Sequence, residues 1–361
     1  MNDENRYMLR ALELAKQGIG KVSPNPAVGA VIVKNNKIIG EGFHNYFGGK
    51  HAEVEAIENA MQSVENSTMF VTLEPCNHYG KTPPCTERII KEKIKKVIIA
   101  MEDPNPQMSG KSIKILQENG IEVKSGILGS DARKINQPYI KATQFKLPYI
   151  ILKSALSLDG FIADSNGDSK WISNAKSRKL VHKWRAKYDA IMVGIGTVLK
   201  DDPMLNVREV SGKDPTRIIY DPSASLTYNL QIVKTANAIK TIVITNKIVS
   251  QEYEKMCEVN EIEILKIENN SKNELRKIFK ILAQKNIQSV MVEGGGKLQS
   301  LLLANDLVDR IDLFYSSKIF GDGIPMMKFP QKLVENSEIF KETKWKIIDD
   351  NVLFSGIVNE Y

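Results

Sequence analysis

Apolar residues along this 361-residue chain fall into two patterns that take turns: stretches repeating every three or four positions, and short unbroken runs bounded by turn formers. Over residues 6–17, Met8, Leu12 and Ala15 lie beside Leu9 and Leu14 with helical spacing, which predicts an amphipathic first helix covering a sheet. Ser23-Pro24-Asn25-Pro26 cannot continue it, because proline lacks an amide hydrogen and restricts the residue before it. Apolar runs at 28–33 and 37–42 flank Asn35-Asn36 and predict a hairpin. A helix opening at His51 and running through Glu53, Ala56, Ile57 and Ala60 is followed by a strand over 68–73. A second helix opens at Cys85, behind Pro83-Pro84, and leads to a strand over 95–100, a short helix around 112–118 and a strand over 121–124. Residues 131–146 read as helical at first and then polar. The pattern restarts at Leu147-Pro148, with strands at 148–153, 190–193, 217–220, 241–245 and 289–293 and helices between them to about residue 325. The alternation predicts two α/β domains, 1–146 and 147–361, the first a layered sandwich and the second built on a largely parallel sheet.

Composition agrees with two folded units. With 42% apolar and 26% charged residues, the chain can bury two cores and is not disordered. Lys plus Arg number 50 against 43 Asp plus Glu, a net charge of +7, yet the basic residues are dispersed among acidic ones. Dispersal argues for a solvated surface and against a nucleic-acid partner, which needs a concentrated basic stripe, and leaves local positive charge for a phosphorylated small molecule. Three cysteines exclude a disulfide framework and point to a reducing compartment. The polar N-terminal stretch lacks an apolar core of signal length, and no run approaches the ~18 residues of a membrane span, so the expectation is a cytoplasmic protein with no membrane partner.

The chemistry concentrates in His51-Ala52-Glu53 and in Pro75-Cys76 with Cys85. One imidazole and two thiolates suit tetrahedral zinc with a fourth position left for water. Glu53, two residues past the histidine, is placed to shuttle a proton. The set matches the H-x-E and P-C-x-x-C signature of zinc-dependent nucleobase deaminases, except that eight residues rather than two separate the cysteines, leaving a loop for substrate recognition. Helix starts at His51 and Cys85 favour the thiolate form of the ligands. An alternative is a closed, non-enzymatic zinc site with His78 as fourth ligand. Asp103 and Asn105, at the end of a strand, read either as sugar or base contacts or as plain loop, and Asn25 as a turn former or a pocket residue. Gly294-Gly295-Gly296-Lys297, between a strand and a helix, suits a phosphate but is also an ordinary tight turn. The guanidinium forks of Arg185 and Arg208 suit a ribose phosphate or, equally, surface salt bridges. Cys257 reads as an ordinary thiol.

Six segments together resemble a known family: SPNPAVGAVIV (23–33), HAE (51–53), PCNHYGKTPPC (75–85), KSALSLDG (153–160), DAIMVGIGTVLKDDPMLNVR (189–208) and VEGGG (292–296). Over nearly its whole length the chain resembles the bifunctional riboflavin-biosynthesis deaminase/reductase. The resemblance implies a cytidine-deaminase-like three-layer α/β/α domain followed by a dihydrofolate-reductase-like α/β domain. It implies one zinc per chain and NADPH as cofactors, and a homo-oligomer, dimer or tetramer. Asn25, His78 and Lys81 are then expected in the first substrate pocket, with Asp103 and Asn105. Ala155, Trp171, Thr197, Asp201, Ser223, Gly295, Gly296, Lys297, Leu298, Gln299, Ser300 and Leu301 are expected against NADPH. Ser169, Arg185, Leu205, Arg208 and Glu293 are expected against the second substrate, with Lys153 and Asp201 orienting or polarising its sugar carbonyl. The implied reactions are deamination of a diamino-pyrimidinone carrying a ribosylamino 5′-phosphate, then reduction of the ribosyl group to ribityl. The rival reading is a nucleic-acid base deaminase with an accessory domain, which would carry a basic channel.

Overall fold

A computed structural model of the chain describes residues 3–79, 83–106, 108–246, 248–328 and 340–361. It divides into two compact units, Met1–Lys146 together with Tyr361, and Leu147–Glu360.

The first unit runs α1 (Asp3–Gly18), β1 (Gly29–Lys34), β2 (Lys37–Phe43), α2 (Ala52–Glu58), β3 (Thr68–Leu73), α3 (Cys85–Lys91), β4 (Lys96–Met101), α4 (Lys111–Glu118), β5 (Glu122–Ser125), α5 (Gly129–Ile135) and α6 (Gln137–Phe145). Its sheet has the order β2-β1-β3-β4-β5, with β1 antiparallel to β2 and β3 and the rest parallel. Asn35 and Asn36 both take positive φ, 51° and 59°, the backbone a two-residue hairpin requires. Both faces of β1, β3 and β4 are buried, and these strands carry continuous apolar runs. Ala30, Ile32, Val97 and Ile99 face α2, α3 and α4 through Ala56, Ile89 and Leu116. Val31, Val33, Ile98 and Ala100 face α1, α5 and α6 through Met8, Ala132 and Ile140. The result is three layers, α/β/α.

Residues 131–146 depart from expectation, forming two helices rather than a helix and a polar tail. Burial of Ile140 against the sheet outweighs the polar composition, and Pro138 sits in the first turn of α6, where a missing amide costs nothing. Asn136, between the helices, bonds the backbone of Ala27 in both directions, at 2.8 and 3.0 Å.

The second unit contains β6 (Tyr149–Leu156), β7 (Phe161–Asp164), α7 (Ala175–Arg185), β8 (Ala190–Gly194), α8 (Ile195–Asp201), β9 (Thr216–Tyr220), α9 (Gln231–Lys234), β10 (Thr241–Asn246), α10 (Gln251–Val259), β11 (Glu263–Ile267), α11 (Lys272–Gln284), β12 (Ser289–Glu293), α12 (Gly296–Ala304), β13 (Arg310–Tyr315), β14 (Gly323–Pro325), β15 (Thr343–Ile348) and β16 (Asn351–Ile357). Among the described residues, nine strands form one sheet in the order β11-β10-β9-β8-β12-β6-β13-β16-β15. It is parallel from β11 to β13 and antiparallel at β16 and β15. Helices α11 and α12 cover one face, through Phe279, Leu282 and Leu302, and α8, α9 and α10 the other, through Val198, Ile232 and Met256. The carboxyl ends of β6, β12, β8 and β9 lie side by side, where ligands collect in parallel sheets.

Candidate active sites

In the first unit, local structure gathers the metal-binding side chains from three segments. His51 is the N-cap of α2, in extended conformation; Cys76 follows β3; Cys85 is the first residue of α3. Glycine at 42 allows the approach, since a Cβ there would lie 2.4 Å from the amide nitrogen of Ala56 in α2. His51 Nδ1 is 3.2 Å from Cys85 Sγ and 3.5 Å from Cys76 Sγ, and the three ligand atoms lie within 4.8 Å of one another. Tetrahedral zinc with ordinary bond lengths holds such atoms roughly 3.5 to 3.8 Å apart, so the set fits that ion. The Cys85 amide donates to Cys76 Sγ at 3.3 Å. Hydrogen bonding from Cys85, then from His51, pulls the Cys76 thiol well below its usual range, as a ligand thiolate requires.

Glu53 is buried, 4% exposed, with its carboxyl close to the Cys85 thiol. Burial raises its pKa above the ordinary carboxylate range, with His51 partly opposing. A carboxyl so placed beside the metal-binding side chains can take up and return a proton. His78 is exposed and lies outside the ligand cluster, so among the described residues the fourth position of the closed-site alternative has no donor. Lys81 lies outside the described residues.

Asn25 reaches the site through a residue to which the sequence assigned no role. His44 is buried, its Nδ1 lies 2.8 Å from the Lys50 carbonyl, its Nε2 lies 3.1 Å from Asn25 Nδ2, and its ring meets that of His51 edge-on at 5.5 Å. The carbonyl requires a proton on Nδ1, so Nε2 accepts from the Asn25 amide. The signal available in the sequence was the clustering of His44, His51 and His78. Asp103 accepts the Asn105 amide at 2.8 Å and the Tyr139 hydroxyl at 3.4 Å. Burial, with Glu74 adding, raises the Asp103 carboxyl above its usual range, while His78 opposes.

In the second unit a cleft of about 1050 Å³ opens at the strand ends. Lys153, Ala155, Ser169, Trp171, Arg185, Thr197, Asp201, Leu205, Arg208, Glu293, Gly295, Gly296, Lys297, Leu298, Ser300 and Leu301, all expected here, line it. Two expected residues do not: Gln299 is fully buried with its amide on Ser154 Oγ, and the Ser223 hydroxyl donates to Asp221 at 3.1 Å. Gln299 lies on the side of α12 that packs against β6, which apolar spacing alone did not distinguish. Gly294 and Gly295 take φ of 74° and 77°, in the left-handed region that favours glycine, just ahead of α12. A Cβ on Gly296 would lie 2.8 Å from the Pro325 carbonyl. Such a cradle with a helix N-terminus fits the pyrophosphate of a dinucleotide.

The parallel register places Lys153 opposite Glu293. Glu293 accepts Arg185 Nε at 2.7 Å and Nη2 at 3.0 Å, with Lys153 Nζ at 3.6 Å. Burial opposes ionisation of Glu293, but Arg185 and then Lys153 outweigh it and hold its pKa down to about 2. Arg185 Nη1 donates to the Asn206 carbonyl, so the fork expected to meet phosphate is already engaged. Arg208 is exposed and lines the cleft, with Nη1 on Asn206 Oδ1 at 3.3 Å. His182, also unforeseen, lies buried in the cleft wall and accepts the Arg208 amide on Nδ1 at 3.3 Å.

Residues 148–354 match the family model described as the RibD C-terminal domain, and residues 1–101 the cytidine and deoxycytidylate deaminase zinc-binding region. The riboflavin biosynthesis protein RibD of Aquifex aeolicus is 41% identical over 97% of this chain and 98% of its own. The chain belongs to the RibD family. A crystal structure of a diaminohydroxyphosphoribosylaminopyrimidine deaminase/5-amino-6-(5-phosphoribosylamino)uracil reductase from Thermotoga maritima is 40% identical and superposes with a TM-score of 0.88 over 98% of both chains. RibD from Acinetobacter baumannii, 36% identical, gives 0.89 over the same share of each. Like other RibD proteins this is a bifunctional deaminase and reductase of riboflavin biosynthesis, with zinc and NADPH as cofactors, acting on a small molecule. No helix among the described residues is long and apolar enough to cross a membrane.

Proposed function

We propose that the first unit deaminates 2,5-diamino-6-ribosylamino-4(3H)-pyrimidinone 5′-phosphate and that the second reduces the resulting 5-amino-6-(5-phosphoribosylamino)uracil to the ribitylamino compound. The observation that carries the first step is the buried Glu53 carboxyl beside the convergent His51, Cys76 and Cys85 atoms. His51 Nδ1 and the two thiolates hold the zinc, which supplies Lewis acidity that makes water more readily ionised. Glu53 takes a proton from the attacking water as its oxygen bonds the ring carbon, then returns it to the exocyclic nitrogen, which leaves as ammonia. Asn25, oriented by His44, turns its amide oxygen toward an N–H of the pyrimidine, and His78, Lys81, Asp103 and Asn105 complete the pocket.

In the second unit the Gly294–Gly296 turn and the start of α12 hold the cofactor diphosphate, alongside Ala155, Trp171, Thr197 and Lys297. Ser223 and Gln299 support that wall from behind. NADPH supplies the hydride, received at C1′ of the opened sugar. Lys153, held by Glu293, donates a hydrogen bond to the sugar, with Asp201 orienting it. Arg208 binds the 5′-phosphate, flanked by Ser169 and Leu205, while Arg185 keeps Glu293 ionised. Domain limits at 146/147, a dimer or tetramer, and residence in the cytoplasm belong to the same reading, supported by the two compact units, by family membership and by three unpaired cysteines.

The test is Glu53→Gln in the full chain. Ammonia release should fall by about 10² to 10⁴-fold, the usual contribution of general acid–base catalysis, with zinc still bound. Given the already deaminated ribosylamino-uracil phosphate, the same protein should oxidise NADPH near the wild-type rate. Loss of both activities in folded, zinc-loaded protein would refute the assignment of the two steps to separate sites.

A further inference from the structure

Glu74 is a buried carboxylate, 4% exposed, two residues before Cys76. Among the described residues the hydrogen bonds of its carboxylate are all to backbone amides, from a segment distant in sequence. Oε2 accepts from Asp103 N at 3.1 Å and Gly110 N at 3.0 Å, and Oε1 accepts from Ser112 N at 3.0 Å. Its own amide donates to the Met101 carbonyl at 2.9 Å. Two of the three donors stand at the start of α4, whose N-cap, Gly110, has no side chain to supply the usual acceptor. The third belongs to Asp103, which in turn accepts the amide of Asn105. One carboxylate thus ties the end of β3, which delivers Cys76, to both ends of the segment that carries Asn105.

We infer that Glu74 is a positioning residue of the deamination site, fixing the 103–112 segment at a set distance from Cys76 so that Asn105 meets the pyrimidine. A carboxylate is required because both of its oxygens accept, whereas glutamine in either orientation would set its NH2 against at least one of the three amide donors. The inference rests on the proposed substrate contact at Asn105.

Glu74→Gln in the zinc-loaded full chain should raise KM for the diamino substrate about tenfold while kcat stays within about threefold, the signature of lost binding rather than lost chemistry. Zinc stoichiometry should equal that of wild type, and amide hydrogen exchange should quicken in peptides spanning 103–112. In an Asn105→Ala background Glu74→Gln should add almost nothing, because coupled residues are not additive. If Glu74→Gln does not fold, Ser112→Pro removes one donor at a first-turn position that tolerates proline, and should raise KM in the same direction. Multiplying effects in the double variant, loss of zinc in Glu74→Gln, or an unchanged KM in the folded protein would each overturn the inference while leaving the deamination reading intact. An unchanged KM in Asn105→Ala would remove the substrate contact itself, and the inference with it.

Discussion

Replacing Arg185 by methionine keeps most of the volume and removes the bidentate partner of Glu293. The wild-type structure gives the magnitude. Glu293 has a pKa of about 2 against an ordinary 4.5. At 1.36 kcal/mol per pH unit, that difference contributes about 3 kcal/mol to the folded state near pH 7. Without Arg185, burial acts on a carboxylate opposed only by Lys153 at 3.6 Å, so most of this contribution is lost. Breaking buried pairs elsewhere costs about 3–5 kcal/mol, in keeping with this figure. The sign is that of a depressed acid: the contribution is complete above pH 4.5 and disappears as pH falls toward 2. The gap between wild type and Arg185→Met should therefore narrow by about 2 kcal/mol from pH 7 to pH 3.

The assay is urea unfolding followed by tryptophan fluorescence. All three tryptophans, Trp171, Trp184 and Trp345, lie in the second unit, so the signal reports that unit within the intact chain. Arg185→Met combined with Glu293→Leu should cost less than the sum of the single changes, since no carboxylate is left unpaired. A gap below about 1 kcal/mol at pH 7, or one that does not change with pH, would show that Glu293 is not a buried charge held by Arg185.

His51→Ala, Cys76→Ser and Cys85→Ser should each lower zinc content by metal analysis and abolish ammonia release, while the tryptophan-reported unfolding midpoint stays where it was; full zinc occupancy in all three would show that the ligands lie elsewhere. Arg208→Ala should weaken substrate binding to the reductase by about 1.5–3 kcal/mol, the range for a hydrogen bond to a charged group. NADPH affinity, measured by titration, should barely move, and collapse of cofactor binding alone would transfer Arg208 to the cofactor site.

The deamination site was legible in the sequence because its parts are local. A histidine before a helix, a cysteine after a strand and a cysteine opening a helix are each specified by a few neighbouring residues, and the boundaries predicted at 51, 68–73 and 85 agree with α2, β3 and α3. The three layers were legible for a similar reason, since strands buried on both faces read as unbroken apolar runs. The edge strands of the second sheet were not. In β15, Lys344 and Lys346 alternate with Trp345 and Ile347, all four exposed, and β11 mixes glutamate and lysine with its apolar residues. Neither carries the continuous apolar run by which β6, β8, β9, β10 and β12 were found.

What remained illegible is what register decides. The sequence offers Arg185 and Arg208 as equals, two guanidinium groups in a domain that handles a phosphate. Pairing of β6 with β12 puts Lys153 opposite Glu293, and α7 then brings Arg185 onto the same carboxylate. Slipping that pairing by one residue would turn one of the two to the opposite sheet face and leave the other's charge unpaired in the cleft wall. No pattern of apolar residues reports such a slip, because both faces of β6 and β12 are buried whichever way they pair. Glu74 has the same origin: its three donors come from one loop and one helix start, and nothing in the sequence around Pro75 and Cys76 names them. Glu293 and Glu74 thus take their partners from segments far away in sequence, and substitutions at Arg185 and Glu74 test those tertiary placements as directly as they test function.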